Sequence, residues 1–328
     1  MGSNLIAFDI GEAQVKMVWM SGSSLKKAVS VALPDNLVAN GEIVSMDAMA
    51  DFLRAAAKEN GIPRSAAAFI LPETQVFTRT VEVPAMTDAQ LAYNLPFEFK
   101  DYLRQEKNSY YFDYAVQELI RDETDTVKQM RLFACATPKK IIEDYREMFH
   151  RAGFRLKSAI PEESAYGTLL RDKEGSGEDT CFVDIGYNAI RMQIFRGDAF
   201  VTGRTVNIGL RDVVQALSDA RGVDLHMAQE HLLSNYEDAI TAPESMSLYH
   251  DMAVETMKVV NFYNYNNREQ TLSRIHLCGG GAAMEPIREA IRDLSNMELC
   301  DAASFLPAQA LPQKPWLFIK AVGCALQA

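Results

Sequence analysis

The chain has 328 residues, about twice the ~150 expected of one domain, and its 48% hydrophobic, 23% charged and 9% aromatic content describes a folded protein of two lobes. Basic residues number 33 against 44 acidic ones, and a net charge of −11 disfavours broad contact with nucleic acid or an anionic membrane. Five scattered cysteines (Cys135, Cys181, Cys278, Cys300 and Cys324) form no C-x-x-C pair, so they suggest reduced thiols rather than a zinc site or a disulfide framework. The start lacks a basic region before its apolar run, and the closing WLFIKAVGCALQA, which carries Lys320, is too short to span a bilayer. A cytoplasmic protein is expected.

In chain order, LIAFDIGEAQVKMVWM reads as strand, turn and strand, with Gly11 in the turn. SMDAMADFLRAAAKENG is a helix with Met46, Met49, Phe52, Leu53 and Ala56 on one face, stopped by Gly61 and Pro63. AAAFIL and QVFTRTVEV read as two further strands, broken by Pro72, and complete residues 1–84 as the first part of lobe one. Thr87 and Gln90 form a capping box for a helix running to about Arg104, SYYFDYAVQEL and QMRLFACAT pair as strands, and Pro138 opens a helix ended by Gly153. Residues 85–157 therefore have the α-β-β-α content of a small inserted subdomain. Residues 158–180 hold a return helix and the linker-like loop KEGSGEDT. TCFVDIGYNAIRMQIFRGDAFV opens a second lobe, 181–312, again as strand, turn and strand. Helices from LRDVVQAL and HMAQEHLL follow, then a long helix from about Ser245 to Gln270, the strand RIHLC and a helix from Met284 to Leu294. A last helix within 313–328 is expected to pack back on the first lobe.

The two strand-turn-strand units are alike. Asp9-Ile10-Gly11 recurs as Asp184-Ile185-Gly186, and the likeness continues through Val15/Ile190, Lys16/Arg191 and Met17/Met192. A glycine turn exposes backbone N–H groups that cradle phosphate oxygens, which points to Gly11 and Gly186. Strand-end carboxylates hold magnesium through water, which makes Asp9 and Asp184 the candidate metal residues. Gly279, Gly280 and Gly281 follow RIHLC and let backbone approach a flat ligand such as adenine. Strand alternation predicts that Lys16 and Arg191 point away from the phosphates. Phe262, Tyr263 and Tyr265 read as core and rim packing; Tyr110, Tyr111, Phe112 and Tyr114 either line a partner groove or pack a strand on both faces. His226 and His231 are off the spacing for two ligands on one helix face, and no H-E-x-x-H, P-loop or dinucleotide fingerprint occurs.

These residues resemble the superfamily of actin, heat-shock chaperone and sugar-kinase ATPases, with DIG at Asp9 and at Asp184 as its phosphate motifs and LCGGGAAM as its adenosine motif. The likeness sharpens to the PilM family of type IV pilus assembly proteins. It is carried by FEFKDYLRQEKNSYYFDY, ATPKKIIEDYREMFHRAGF, VDIGYNAIRMQIFRGDAF, VNIGLRDVVQAL and IHLCGGGAAMEPIREAI, and KAVGCAL is similar to the family's closing helix. The resemblance implies an α/β, two-lobed actin-like (ribonuclease H-like) ATPase fold, with an inserted subdomain of the kind found in the division protein FtsA. It implies ATP and Mg²⁺ between the lobes, with Gly209 and Glu230 (the latter where the family's helix nears the ribose) added to the site. As partner it implies the N-terminal cytoplasmic peptide of a PilN-like inner-membrane protein, alongside other pilus assembly components and without nucleic acid or direct membrane insertion.

Departures from the family pattern qualify that implication. Glu12, Ala13 and Gln14 follow Gly11, and Tyr187, Asn188 and Ala189 follow Gly186, where small or hydroxyl residues are usual. Gly209-Leu210 replaces a Gly-Gly pair and Val214 an expected threonine. Losing two hydrogen bonds to charged groups costs about 3–6 kcal/mol, or roughly two to four decades of affinity. Glu12, if it faces the site, also opposes phosphate. The expected function is a scaffold with weak or degenerate ATP binding, at most a weak ATPase, recruited to the inner face of the membrane through its partner. The alternative is an active ATPase or small-molecule kinase, which needs a catalytic carboxylate facing the γ-phosphate. An FtsA-like filament former needs a basic amphipathic C-terminal helix, and the ending ALQA argues against one.

Overall fold

In the computed structural model, which describes residues 4–39, 41–103, 106–171, 179–295, 297–307 and 312–328, β1 (Asn4–Ile10) turns at Gly11 into β2 (Gln14–Ser21), and β3 (Ser24–Ala32) follows. β4 (Val38–Ala39) and β5 (Glu42–Ile43) make a short arm before α1 (Met46–Glu59), which starts where the Ser45 side chain accepts the Ala48 N–H. β6 (Ala66–Ile70) lies parallel to β1. β1 is apolar from Leu5 to Phe8 because both its faces are covered there: Leu5 and Ala7 enter one core, Ile6 and Phe8 another.

The inserted subdomain begins earlier and ends earlier than the sequence suggests. β7 (Phe77–Pro84) pairs with β9 (Val127–Pro138), not with the first sheet, and β8 (Tyr110–Arg121) completes a sheet of order β7-β9-β8. α2 (Asp88–Glu98) covers it and shares a small core of Val81, Val83, Leu91, Leu95, Phe99 and Leu132. The Thr87–Gln90 capping box is present, but the helix stops at Glu98; the expected end at Arg104 lies outside the described residues. α3 (Lys139–Ala152) belongs to the first lobe, where Tyr145 and Phe149 pack on Phe69 and Phe8, and β10 (Arg155–Ile160) runs parallel to β6. The insert is thus 77–138 rather than 85–157. Local periodicity identified each element, but which sheet a strand joins depends on a partner far along the chain.

α4 (Glu162–Leu170) returns the chain toward the second lobe; KEGSGEDT lies outside the described residues as far as Glu178. That lobe contains β11 (Asp179–Ile185), β12 (Ile190–Arg196), β13 (Ala199–Val206), α5 (Leu210–Arg221), α6 (Leu225–Ser234), α7 (Pro243–Asn266), β14 (Arg274–Cys278), α8 (Glu285–Leu294) and β15 (Glu298–Asp301). Its sheet order, β13-β12-β11-β14-β15, matches β3-β2-β1-β6-β10 of the first lobe position for position. α9 (Ile319–Gln327) then packs against α4, and Ile319, Ala321 and Val322 join Leu5, Ala7, Phe182 and Phe195 in one core between the two sheets. No helix among the described residues is long and apolar enough to cross a membrane.

Candidate functional site between the lobes

Both repeated hairpins close alike: the Gly11 N–H donates to the Gln14 carbonyl and the Gly186 N–H to the Ala189 carbonyl, each at 3.0 Å. In the register, Lys16 stands opposite Asp9 and Arg191 opposite Asp184. Directly opposed residues of an antiparallel pair project to the same face, so these cations share the aspartates' side. The outward placement expected of Lys16 and Arg191 is therefore corrected. Lys16 Nζ lies 2.9 Å from Asp9 Oδ2 with both side chains buried, and Arg191 Nε lies 3.3 Å from Glu73, which also accepts from Thr205.

The residue that sequence reading missed is Lys320. From α9 its Nζ reaches Asp184 Oδ2 at 2.8 Å and Glu162 Oε2 at 3.4 Å, and Gln193 donates to the other Glu162 oxygen at 2.8 Å. Nothing local marks this lysine; the only hint is one charge in a closing helix that is otherwise almost wholly apolar. Burial on its own would raise the Asp9 carboxyl, but Lys16, Lys320 and Arg191 outweigh it and hold the group at about 2. Burial likewise opposes ionisation of Asp184, and Lys320, Lys16 and Arg191 hold it below its ordinary value. Burial pulls Lys320 down, yet Asp184, Asp9 and Glu162 keep its ammonium well above its usual range. The same cations act on both aspartates, so the two hairpins converge.

The glycines serve close approach within the chain. A Cβ on Gly279, whose φ is +85°, would lie 2.1 Å from Asp184 Oδ1, and one on Gly281 would lie 2.3 Å from Ile185 Cγ2. Leu210, in place of a glycine, brings its Cδ1 within 3.5 Å of a Cβ on Gly280. Gly209 is pressed on the Tyr187 carbonyl, and its N–H donates to Asp212 at 2.8 Å. Glu12 accepts the Gly41 N–H, which engages the charge that threatened phosphate. Glu230 is exposed on α6, while the adjacent Gln229 faces the Tyr187 hydroxyl at 3.4 Å. Mg²⁺ fits this arrangement poorly: each candidate carboxylate already carries an ammonium, and no cluster of three metal-binding side chains occurs among the described residues.

Glu163, beside this network on α4, accepts from Thr78 of β7 at 3.0 Å and so ties the insert to the interlobe helix. Burial and the neighbouring Glu162 push its carboxyl up to about 7. A carboxyl with a raised folded-state pKa binds its proton more tightly folded than unfolded, so stability falls as pH rises from the unfolded value to about 7. Glu163→Gln should therefore stabilise the protein by about 2–3 kcal/mol at pH 8 and hardly at all at pH 5, as read from urea midpoints. Equal effects at both pH values would refute the assignment.

On the insert, Tyr110 is buried, Phe112 packs on Phe99 and Tyr114 donates to Asp88 at 3.1 Å, so these three are structural; Tyr111 is exposed beneath Lys139. The open aromatic surface lies on and beside α2, where Tyr93 is 69% and Phe97 and Tyr102 are 51% exposed. Lys107 Nζ sits 4.8 Å from the Phe97 ring centre and 5.7 Å from that of Tyr93, and Arg79 lies over Tyr102. On α7, Tyr263 is buried as expected, but Phe262 and Tyr265 are exposed.

A family model described as "Type IV pilus assembly protein PilM" matches residues 7–310. Among solved structures, the chain resembles one from a PilM-PilN type IV pilus biogenesis complex, with a TM-score of 0.79 and 18% identity over 100% of this chain and 98% of that one. It also resembles the ethanolamine utilization protein EutJ from Carboxydothermus hydrogenoformans (TM-score 0.62, 13% identity, 100% and 90% covered). A third likeness is to Ta0583, an archaeal actin homolog in complex with ADP (0.52, 12%, 98% and 97%). At such identities these likenesses establish the actin-like fold. No curated protein matches the sequence.

Proposed function

The chain belongs to the PilM family of type IV pilus assembly proteins, and from that premise we propose an actin-like scaffold whose inserted subdomain captures the extended cytoplasmic tail of a PilN-type inner-membrane partner. The observation that carries this reading is the exposed aromatic face of the insert, with Tyr93 and Phe97 one helical turn apart under Lys107. Such rings lose water at little entropic cost when covered, and aromatic residues dominate the binding energy of interfaces. The likeness to a PilM-PilN complex supports the same partner class. In this reading the protein works at the inner face of the membrane, held there by the tail rather than by lipid, consistent with its charge of −11.

ATP binding between the lobes is weak in this proposal and turnover slight or absent. The hairpins carry no serine or threonine after their glycines, and Asp212 occupies the Gly209 N–H. Titration of a PilN-type tail peptide, with and without Mg-ATP, tests the scaffold. Phe97→Ala is expected to weaken peptide binding about tenfold or more while leaving the melting temperature unchanged. Absence of binding under both conditions would overturn the reading.

A further inference from the structure

Two buried carboxylates, Glu162 and Asp184, share Lys320 between the lobes, a third, Asp9, is paired with Lys16, and the charge of Arg191 acts on all three. Arg191 is also paired at the rim by Glu73. Lys320 is the unusual member, because it joins three elements. Its own helix packs on the first lobe, Glu162 comes from α4 and Asp184 ends a strand of the second lobe. The lysine side chain is 13% exposed, against 10% for Asp184 and 9% for Glu162. Buried carboxylates need a countercharge, and this one is covalently part of the chain.

We infer that Lys320 is a resident countercation standing where a divalent ion would otherwise bridge the carboxylates, so that this chain joins its lobes without metal. Adding Mg²⁺ to the network as built would place two further positive charges beside groups already neutralised. Removing the lysine would leave Asp184 and Glu162 facing each other, and a hard divalent cation is what such an oxygen pair takes up.

The test is thermal unfolding of the full chain with Mg²⁺ alone or with a chelator. Wild type should melt at the same temperature in both. Lys320→Ala should melt roughly 10 °C lower, because one charge of a buried pair is left uncompensated. Mg²⁺ alone should then restore part of that loss, which makes the variant metal-dependent where wild type is not. A wild-type midpoint raised several degrees by Mg²⁺, an unchanged Lys320→Ala midpoint, or a loss that no divalent cation restores would each overturn the inference. If Lys320→Ala does not fold, the double variant Lys320→Gln/Asp184→Asn carries the test. It leaves Glu162 bonded by Gln193 and should recover most of the midpoint; a double variant that also fails to fold would overturn the inference. None of these readouts involves the tail peptide, so scaffold and countercation stand or fall separately.

Discussion

Gly279→Ala should abolish folding or cost about 4 kcal/mol or more, while Gly280→Ala beside it should change stability by no more than about 0.5 kcal/mol. Gly279 has φ +85° and ψ −178°, a region that only glycine occupies comfortably, and a side chain there carries about 1–3 kcal/mol of strain. The added methyl would also meet Asp184 Oδ1 at 2.1 Å and the Ile185 carbonyl at 2.7 Å. The backbone carbonyl cannot swing aside, and moving Asp184 breaks its bond to Lys320. Gly280 has no such conflict, since a Cβ there meets only Leu210 Cδ1 at 3.5 Å. Chemical denaturation of the two variants separates the cases, and equal losses would show that the collision with Asp184 is not what Gly279 avoids.

Gly323→Ala should cost about 2–4 kcal/mol, although helix propensity alone predicts a gain of roughly 1 kcal/mol. Gly323 lies in α9 where it crosses α4, and a Cβ would sit 2.1 Å from the Ala165 carbonyl oxygen. Every atom it meets is backbone, so the helices must part. Parting draws Lys320 away from Asp184 and opens the packing around Cys324, which is wholly buried and whose thiol burial holds well above its usual value. Native-state labelling of Cys324 by a thiol reagent should accelerate in Gly323→Ala alongside the lower urea midpoint. A variant as stable as wild type, or more so, would sink the close-packing argument.

Much of the fold was legible because its signals are local. The Asp-Ile-Gly repeat announced two like lobes, and both hairpins fold with the same closing bond and the same strand order around them. Thr87 and Gln90 marked a helix start that the structure contains. What could not be read was pairing between distant segments. β7 looks like any first-lobe strand until Leu132 of β9 stands opposite Val81, and α3 looks like part of the insert until Tyr145 meets Phe69. Within the site, Lys16 was misplaced by counting along one strand when its position opposite Asp9 on the neighbouring strand decided its direction.

The sequence by itself determined the two-lobed actin-like plan and the repeated strand-turn-strand units with their aspartates. These rest on periodicity, turn chemistry and side-chain type, which act within a few residues. Only the tertiary structure decided what the aspartates face. Asp184 and Lys320 are far apart in the chain and meet because α9 folds back between the sheets, where a buried carboxylate without a countercharge would be too costly to keep. The aspartates that read from their motifs as metal holders are thereby paired with the protein's own lysines.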